Sequence, residues 1–178
     1  MGYPIAQIAG LIGARVLQRS NDFVIDHLLY DSRSVSFPAD SLFFALRTTG
    51  ADGHRFVADA YSKGVRAFVV EDDVDSTALA DAWVLQVPQT LWALQLLAKH
   101  HRQQYSIPVI GITGSNGKTV VKEWLYQLLH TDFNIVRSPR SYNSQIGVPV
   151  SVWQINNAHN LGIFEAGISQ PAEMQALA

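Results

Sequence analysis

The sequence predicts an α/β protein in two parts: a small N-terminal α/β domain over 1–106, then the first part of a parallel-sheet domain with a phosphate loop over 107–178. Three observations carry that reading. Short apolar runs rich in β-branched and aromatic residues alternate with helical stretches, as in strands linked by helices across a parallel sheet. The run Gly111-Ile112-Thr113-Gly114-Ser115-Asn116-Gly117-Lys118-Thr119 lies between an apolar stretch at 107–112 and a helical one at 120–130. Between the two parts, Tyr105-Ser106-Ile107-Pro108 interrupts the pattern, since the residue before a proline is pushed out of the helical region.

Residues 1–17 read as an amphipathic helix leading into a short strand. This segment lacks a basic leader, is broken by Gly10 and Gly13, and carries Arg15 where the core of a signal peptide would continue. The opening also lacks the Ser or Thr of a myristoylation signal. Strands follow at 23–29, 41–46, 67–70 and 83–86, with helices at 55–63 and 89–102. The last of these helices puts Leu91, Leu94, Leu97 and Ala98 on one face. His100 and His101 fall at its end, where a solvated terminus is expected rather than a metal centre, because no third ligand lies at a useful spacing.

Beyond Pro108 the order is strand, phosphate loop, helix, a strand at 134–136, a helix after Ser144, a strand at 161–166 and a helix from Pro171. Three strands are about half of a usual nucleotide-binding sheet. The second part therefore reads as unfinished, stopping inside a predicted helix at Ala178.

Composition narrows the functional classes. With 48% hydrophobic and 16% charged residues the chain has enough apolar material for a packed core, so disorder is not expected. A net charge of -2 supplies no general attraction to nucleic acid or to an anionic membrane, so an anionic ligand has to be held by a local site. No apolar run reaches the roughly 18 residues of a membrane span. The absence of cysteine excludes disulfides and thiolate metal sites, and is compatible with a reducing compartment.

The phosphate loop is the strongest such site. Glycines let backbone N–H groups close on a polyphosphate, the helix that follows turns its positive end toward it, and Lys118 adds a cation. Thr119 is placed to hold Mg²⁺ through its hydroxyl. The strict G-x-x-x-x-G-K-[ST] spacing asks for glycine at 112, whereas this chain has Ile112 with glycines at 111 and 114; the bland alternative is an ordinary strand-to-helix turn. Glu165 ends the strand 161–164 at the carboxyl edge where parallel sheets bind ligands, and reads either as a strand-end carboxylate or as a magnesium ligand.

Two further stretches stay open on residue chemistry alone. Asp31-Ser32-Arg33 and Asp52-Gly53-His54 read either as turns with an exposed ion pair or as groups (Ser32, Arg33, His54) that converge on an anionic ligand. The polar loop 137–149, with Arg137 and Arg140, reads either as a solvated connector or as substrate contact.

Together these stretches resemble the Mur ligases, ATP-dependent ligases that add amino acids or peptides to cell-wall precursors, over nearly the whole chain. Thr113-Gly114-Ser115-Asn116-Gly117-Lys118-Thr119 looks like their phosphate loop, and Phe164-Glu165-Ala166-Gly167 like their magnesium-binding strand end. Asp31-Ser32-Arg33, Leu42-Phe43-Phe44-Ala45-Leu46 and Asp52-Gly53-His54-x-Phe56 look like the N-terminal domain of the branch that takes long UDP-linked peptides. Asn143-Ser144-Gln145-Ile146-Gly147-Val148-Pro149 is similar to the Asn-Asn-x-Ile-Gly-x-Pro of the member that adds D-alanyl-D-alanine, with Ser144 replacing the second Asn. The wording from Arg140 to Pro149 also resembles the form fused to an alanine racemase, which implies a pyridoxal phosphate domain far downstream.

The resemblance implies a cytoplasmic enzyme in which ATP phosphorylates the terminal carboxylate of UDP-N-acetylmuramoyl-tripeptide and the amine of D-alanyl-D-alanine attacks the acyl phosphate. It gives Lys118 and Glu165 catalytic roles, residues Thr113, Gly114, Ser115, Asn116, Gly117, Lys118 and Thr119 to the nucleotide, and Thr119 with Glu165 to Mg²⁺. Ser32, Arg33, Asp52, His54, Ser141 and Asn143 would contact the UDP-linked substrate. A lysine carbamate, an adenine pocket and a C-terminal domain are expected beyond Ala178. Alternatives are the sister ligase that adds the third amino acid and a non-catalytic UDP-sugar or nucleotide-binding module; a folylpolyglutamate synthase shares the ATP machinery but lacks the 31–56 pattern.

Overall fold

The computed structural model describes residues 2–48 and 50–167. The chain forms two compact units, Met1–Leu97 and Ala98–Ala178. The division falls inside a helix rather than at the expected 106/107, because the last turn of that helix contributes to the second unit's core. The helix expected from Pro171 lies outside the described residues.

In the first unit β4 (His27–Leu29), β5 (Ser41–Phe44), β6 (Ala67–Val70) and β7 (Trp83–Gln86) run parallel, and β2 (Arg15–Gln18) closes the sheet antiparallel to β7, in the order β2-β7-β6-β5-β4. Every residue of β5 and β6 is buried, as expected of strands covered on both faces; β6 is wholly apolar, and the one hydroxyl in β5, that of Ser41, donates to the carbonyl of Phe37. Phe43 and Phe68 are register partners that meet edge to face, among Val57, Ala60, Val65 and Val84. Each such ring contributes about 1.5–3 kcal/mol by leaving water.

Two expectations are corrected in this unit. The N-terminal helix is only α1 (Ile5–Leu11), preceded by β1 (Tyr3–Pro4) and ended by Gly13 at φ 62 before β2. The single strand expected at 23–29 is divided at Asp26: β3 (Val24–Ile25) pairs antiparallel with β1, while β4 joins the main sheet. The N–H of Asp26 turns away to the carbonyl of Asp40 at 2.9 Å.

After β5, a 3₁₀ turn at Gly53–Phe56 feeds α2 (Val57–Ser62), and after β7 comes α3 (Thr90–Gln103). Glu71, just past β6, accepts from the N–H and hydroxyl of Thr90 at 2.7 and 2.8 Å, which puts a carboxylate at the positive end of α3.

The second unit holds a parallel three-stranded sheet in the order β8-β10-β9, from β8 (Val109–Ile112), β9 (Ile135–Arg137) and β10 (Leu161–Glu165). α4 (Lys118–Leu129) links β8 to β9, and α5 (Gly147–Val152) precedes β10. The central β10 is buried throughout, whereas the edge strand β8 is partly open. Along α4 an apolar stripe of Val120, Trp124 and Leu128 is 52%, 63% and 72% exposed. Among the described residues no helix is long and apolar enough to cross a membrane.

His101 also departs from expectation. It is buried rather than solvated, lies against the ring of Trp153 at 4.7 Å and shares a 2.9 Å hydrogen bond with the carbonyl of Ile155. Its place on the buried face of α3 decides this, one turn after Leu97. Burial lowers its pKa below the ordinary 6.5. The folded state therefore holds a neutral ring while the unfolded chain takes up a proton, so this contribution is fully present above pH 6.5 and is lost as pH falls through the lowered folded value. Denaturant unfolding at neutral pH and in mild acid is expected to give a larger acid loss in the wild type than in His101→Phe; equal losses would contradict this assignment.

Candidate functional site

The glycine pattern of the phosphate loop has a direct backbone explanation. Ile112 is still a strand residue, paired with Glu165 in β10, and the turn starts after it. Gly114 and Gly117 take φ values of 136 and 80, which L side chains rarely adopt, so glycine is needed at 114 and 117 rather than at 112. Gly117 is the N-cap of α4 and supplies no side-chain cap, which leaves the first-turn N–H groups to another acceptor. Lys118 folds back so that its ammonium donates to the carbonyl of Gly114 at 2.6 Å, directly over the loop.

Register then brings the metal candidates together. β10 lies beside β8, which sets Glu165 next to the mouth of the loop, and the Thr119 hydroxyl donates to Oε2 of Glu165 at 3.0 Å. Glu165 is fully buried, and its N–H donates to the hydroxyl of Ser138 at 3.1 Å. Its other oxygen, Oε1, lies 2.9 Å from the ammonium of Lys122 in an ion pair out of line for a hydrogen bond, so that oxygen retains unused acceptor capacity. A hydroxyl and a carboxylate beside a helix N-terminus form a hard-oxygen donor set that fits Mg²⁺.

Sequence reasoning missed Lys122, which has no exposed surface. Its ammonium also donates to the carbonyl of Ser138 at 2.8 Å and to that of Arg140. The available signal was its spacing, three residues after Thr119 on the same helical face.

The loop between β9 and α5 is built by local bonds. Arg137 pairs with Glu123 and lies 3.8 Å over the ring of Tyr126, so it is an anchoring group. Arg140 has φ 49, left-handed for a non-glycine residue. Ser141 is exposed; its carbonyl accepts from the N–H of Asn143, whose own carbonyl accepts from Gly167 at 2.6 Å beside Glu165. Ser144 accepts from the N–H of Gly147 at 3.1 Å, which ties the loop to the first residue of α5.

The N-terminal candidates lie on connections that leave parallel strands. Asp31 follows β4 and accepts from Arg33 through both the guanidinium, at 2.7–3.1 Å, and the backbone N–H, which hold its pKa at about 2. The Arg33 side chain is 87% exposed. Ser32 is buried, with its carbonyl accepting from Lys63 at 2.9 Å. Asp52, after β5, is held at about 2 by the backbone N–H of His54 and then by its ring. The ring nitrogens of His54 are both engaged: Nδ1 meets Asp52 at 2.6 Å, while Nε2 accepts from the N–H of Glu71 at 2.9 Å, which fixes the Nδ1–H tautomer. Asp52, His54 and Asp72 are close enough to resemble a metal cluster, but Arg47 pairs with Asp52, Asp72 and Glu71 and supplies the local positive charge. Each of the two turns has its own set of partners.

Comparison with known proteins defines the class. The model of the Mur ligase family catalytic domain matches residues 24–102, and that of the Mur ligase middle domain matches 112–178. The chain belongs to the Mur ligase family. Among its relatives, the UDP-N-acetylmuramoyl-tripeptide–D-alanyl-D-alanine ligase of Treponema pallidum is 36% identical over 178 residues, covering 96% of this chain and 38% of the relative. The ligase of the same name from Bacillus subtilis is 34% identical over 86% of this chain and 33% of its own length. A crystal structure of MurF from Acinetobacter baumannii superimposes with a TM-score of 0.87 at 26% identity, over 99% of this chain and 38% of that one. MurF from Thermotoga maritima in complex with ADP gives a TM-score of 0.71 at 28% identity, over 85% of this chain and 34% of that one. The chain thus spans well under half of the relatives it matches.

Replacing Lys118 by Ala removes an ammonium bonded to the loop, a charge-assisted partner worth about 1.5–3 kcal/mol to a phosphate. Calorimetry with ATP and Mg²⁺ is expected to give an affinity lower by roughly ten- to a hundredfold. Unchanged affinity would refute the phosphate-loop assignment.

Proposed function

We propose that this chain supplies the UDP-substrate-binding part and the phosphate-binding part of an ATP-dependent ligase that joins D-alanyl-D-alanine to UDP-N-acetylmuramoyl-tripeptide, as the names of its relatives state for them. The observation that carries the reading is the Thr119–Glu165 contact at the mouth of a loop whose lysine already lies over the backbone.

In this reading the terminal carboxylate of the tripeptide attacks the γ-phosphorus of ATP, the bond to the bridging oxygen breaks, and ADP leaves. The free amine of D-alanyl-D-alanine then attacks the acyl carbon, an amide bond forms, and inorganic phosphate and a proton depart. Lys118 and the N–H groups of the loop and first turn of α4 stabilise charge on the transferred phosphoryl group, which is catalysis by positioning and electrostatics. Thr119 and Glu165 would hold Mg²⁺, which when bound supplies neutralising charge beside the phosphates. Ser141 and Asn143, on the loop that reaches Gly167, are the proposed contacts to the acyl end.

The UDP end is assigned to the first unit. Exposed Arg33 is its natural cationic contact, Ser32 contributes through its turn, and Asp52 with His54 shapes the backbone after β5. NMR titration of the protein with UDP-N-acetylmuramic acid in the absence of ATP is expected to shift resonances within 2–97. Shifts confined to 98–167 would overturn this division of labour.

The residues assigned above reach the phosphates, the metal and the UDP-linked substrate, and the chain spans 38% of the length of the Treponema pallidum relative. Because phosphoryl transfer depends on many partners being positioned together, a chain that supplies only the groups assigned above is expected to turn over at background. Purified 1–178 is expected to release no phosphate above background when given ATP, UDP-N-acetylmuramoyl-tripeptide and D-alanyl-D-alanine. Steady release dependent on both co-substrates would mean that this chain already holds a complete site.

A further inference from the structure

We propose that Lys122 is a positioning residue whose buried ammonium is the resident counter-charge of Glu165, making the site a poor one for a bare divalent cation and a good one for a metal–nucleotide complex. The inference rests on the nucleotide reading above and extends it to the order in which charge enters the site.

Three features carry it. Glu165 and Lys122 both have no exposed surface and lie 2.9 Å apart, and a carboxylate charge taken out of water is costly unless a cation is paired with it. The same ammonium donates to the carbonyls of Ser138 and Arg140, so it is fixed in place. Arg140 holds a left-handed φ of 49, and its carbonyl is one of those two acceptors. The other carboxylate near Lys122, Glu123 at 3.4 Å, is half-exposed and has Arg137 as its own partner.

The charge balance follows. Before nucleotide arrives, Glu165 and Lys122 sum to zero, and Lys118 adds a further positive charge near the loop. A bare divalent ion placed on Thr119 and Glu165 therefore meets a fixed cation with no net anion to offset it. A triphosphate reverses that sign, because its negative charges are held by the loop while Oε2 of Glu165 and Thr119 remain available to the metal. Lys122 pairs with Oε1, while Oε2 faces Thr119.

The test uses Mn²⁺ as the probe, with electron paramagnetic resonance counting free ion in the absence of nucleotide, and calorimetry with a non-hydrolysable ATP analogue and Mg²⁺ run in parallel. Wild-type protein is expected to bind bare Mn²⁺ weakly and the analogue with Mg²⁺ well. Lys122→Met, which leaves the carboxylate without its counter-charge, is expected to bind bare Mn²⁺ at least about tenfold more tightly. Lys122→Arg should keep the weak binding, and adding Glu165→Gln to Lys122→Met should abolish the gain.

A folded Lys122→Met with unchanged affinity for bare Mn²⁺, or an equal gain in Lys122→Arg, would overturn the proposal. Where Lys122→Met fails to fold, the pair Lys122→Met with Glu165→Gln decides: recovery of a cooperative melt supports the counter-charge role, and continued failure overturns it in favour of Lys122 as packing material. Absence of nucleotide binding by the wild type is a separate result. It would defeat the nucleotide reading itself, and with it the preference for a metal–nucleotide complex.

Discussion

The second unit depends on neutralising one carboxylate that has no access to water. Glu165 ends a strand buried along its whole length, and a lone anion there would cost several kcal/mol even after the surroundings relax. Its neighbours are therefore committed to it. Lys122 supplies charge from α4, Thr119 supplies a donor from the first turn of the same helix, and Ser138 accepts the backbone N–H from the loop after β9. Because those groups come from α4 and from the loop after β9, Glu165 ties helix, loop and strand to one another. The phosphate loop inherits its position from that arrangement, since α4 begins where the loop ends.

The first unit solves a different problem with the same means. Its parallel strands release turns that carry Asp31, Asp52, Glu71 and Asp72, and each acidic group is tied down locally by a backbone N–H, by a guanidinium or by both. Arg47 serves three of them. The candidate binding residues are thus largely spent on making the turns. What they present outward is backbone of defined shape and the exposed guanidinium of Arg33.

Sequence patterns carried most of this fold where burial was two-sided or strictly periodic. Strands such as β6, a wholly apolar run, and β5, apolar from Leu42, can be placed from residue type alone. The approach of Thr119 to Glu165 follows from the order of strand, glycine loop, helix and strand along the chain. Asp26 was not legible, since nothing local tells a continuous strand from one whose middle N–H turns to Asp40. His101 and Lys122 failed for a shared reason. Polar residues on a helix are read as solvated by default, and their burial is decided by partners such as Trp153, Ile155 and Glu165 far along the chain. The division between the compact units falls inside α3, whose sequence pattern is continuous while its last turn packs with later residues.

Gly53 adds one consequence for how the Asp52-Gly53-His54 turn tolerates change. A Cβ there would stand 2.6 Å from the backbone nitrogen of Leu46 and 2.7 Å from the carbonyl carbon of Ala45, and neither atom can be moved by rotating a side chain. The residue is thus set by excluded volume at the exit of β5, independently of any molecule the neighbouring side chains hold. A motif that looks like ligand chemistry from end to end has a middle position governed by steric closure alone, and a chain that had lost every binding role would still have to keep it to fold.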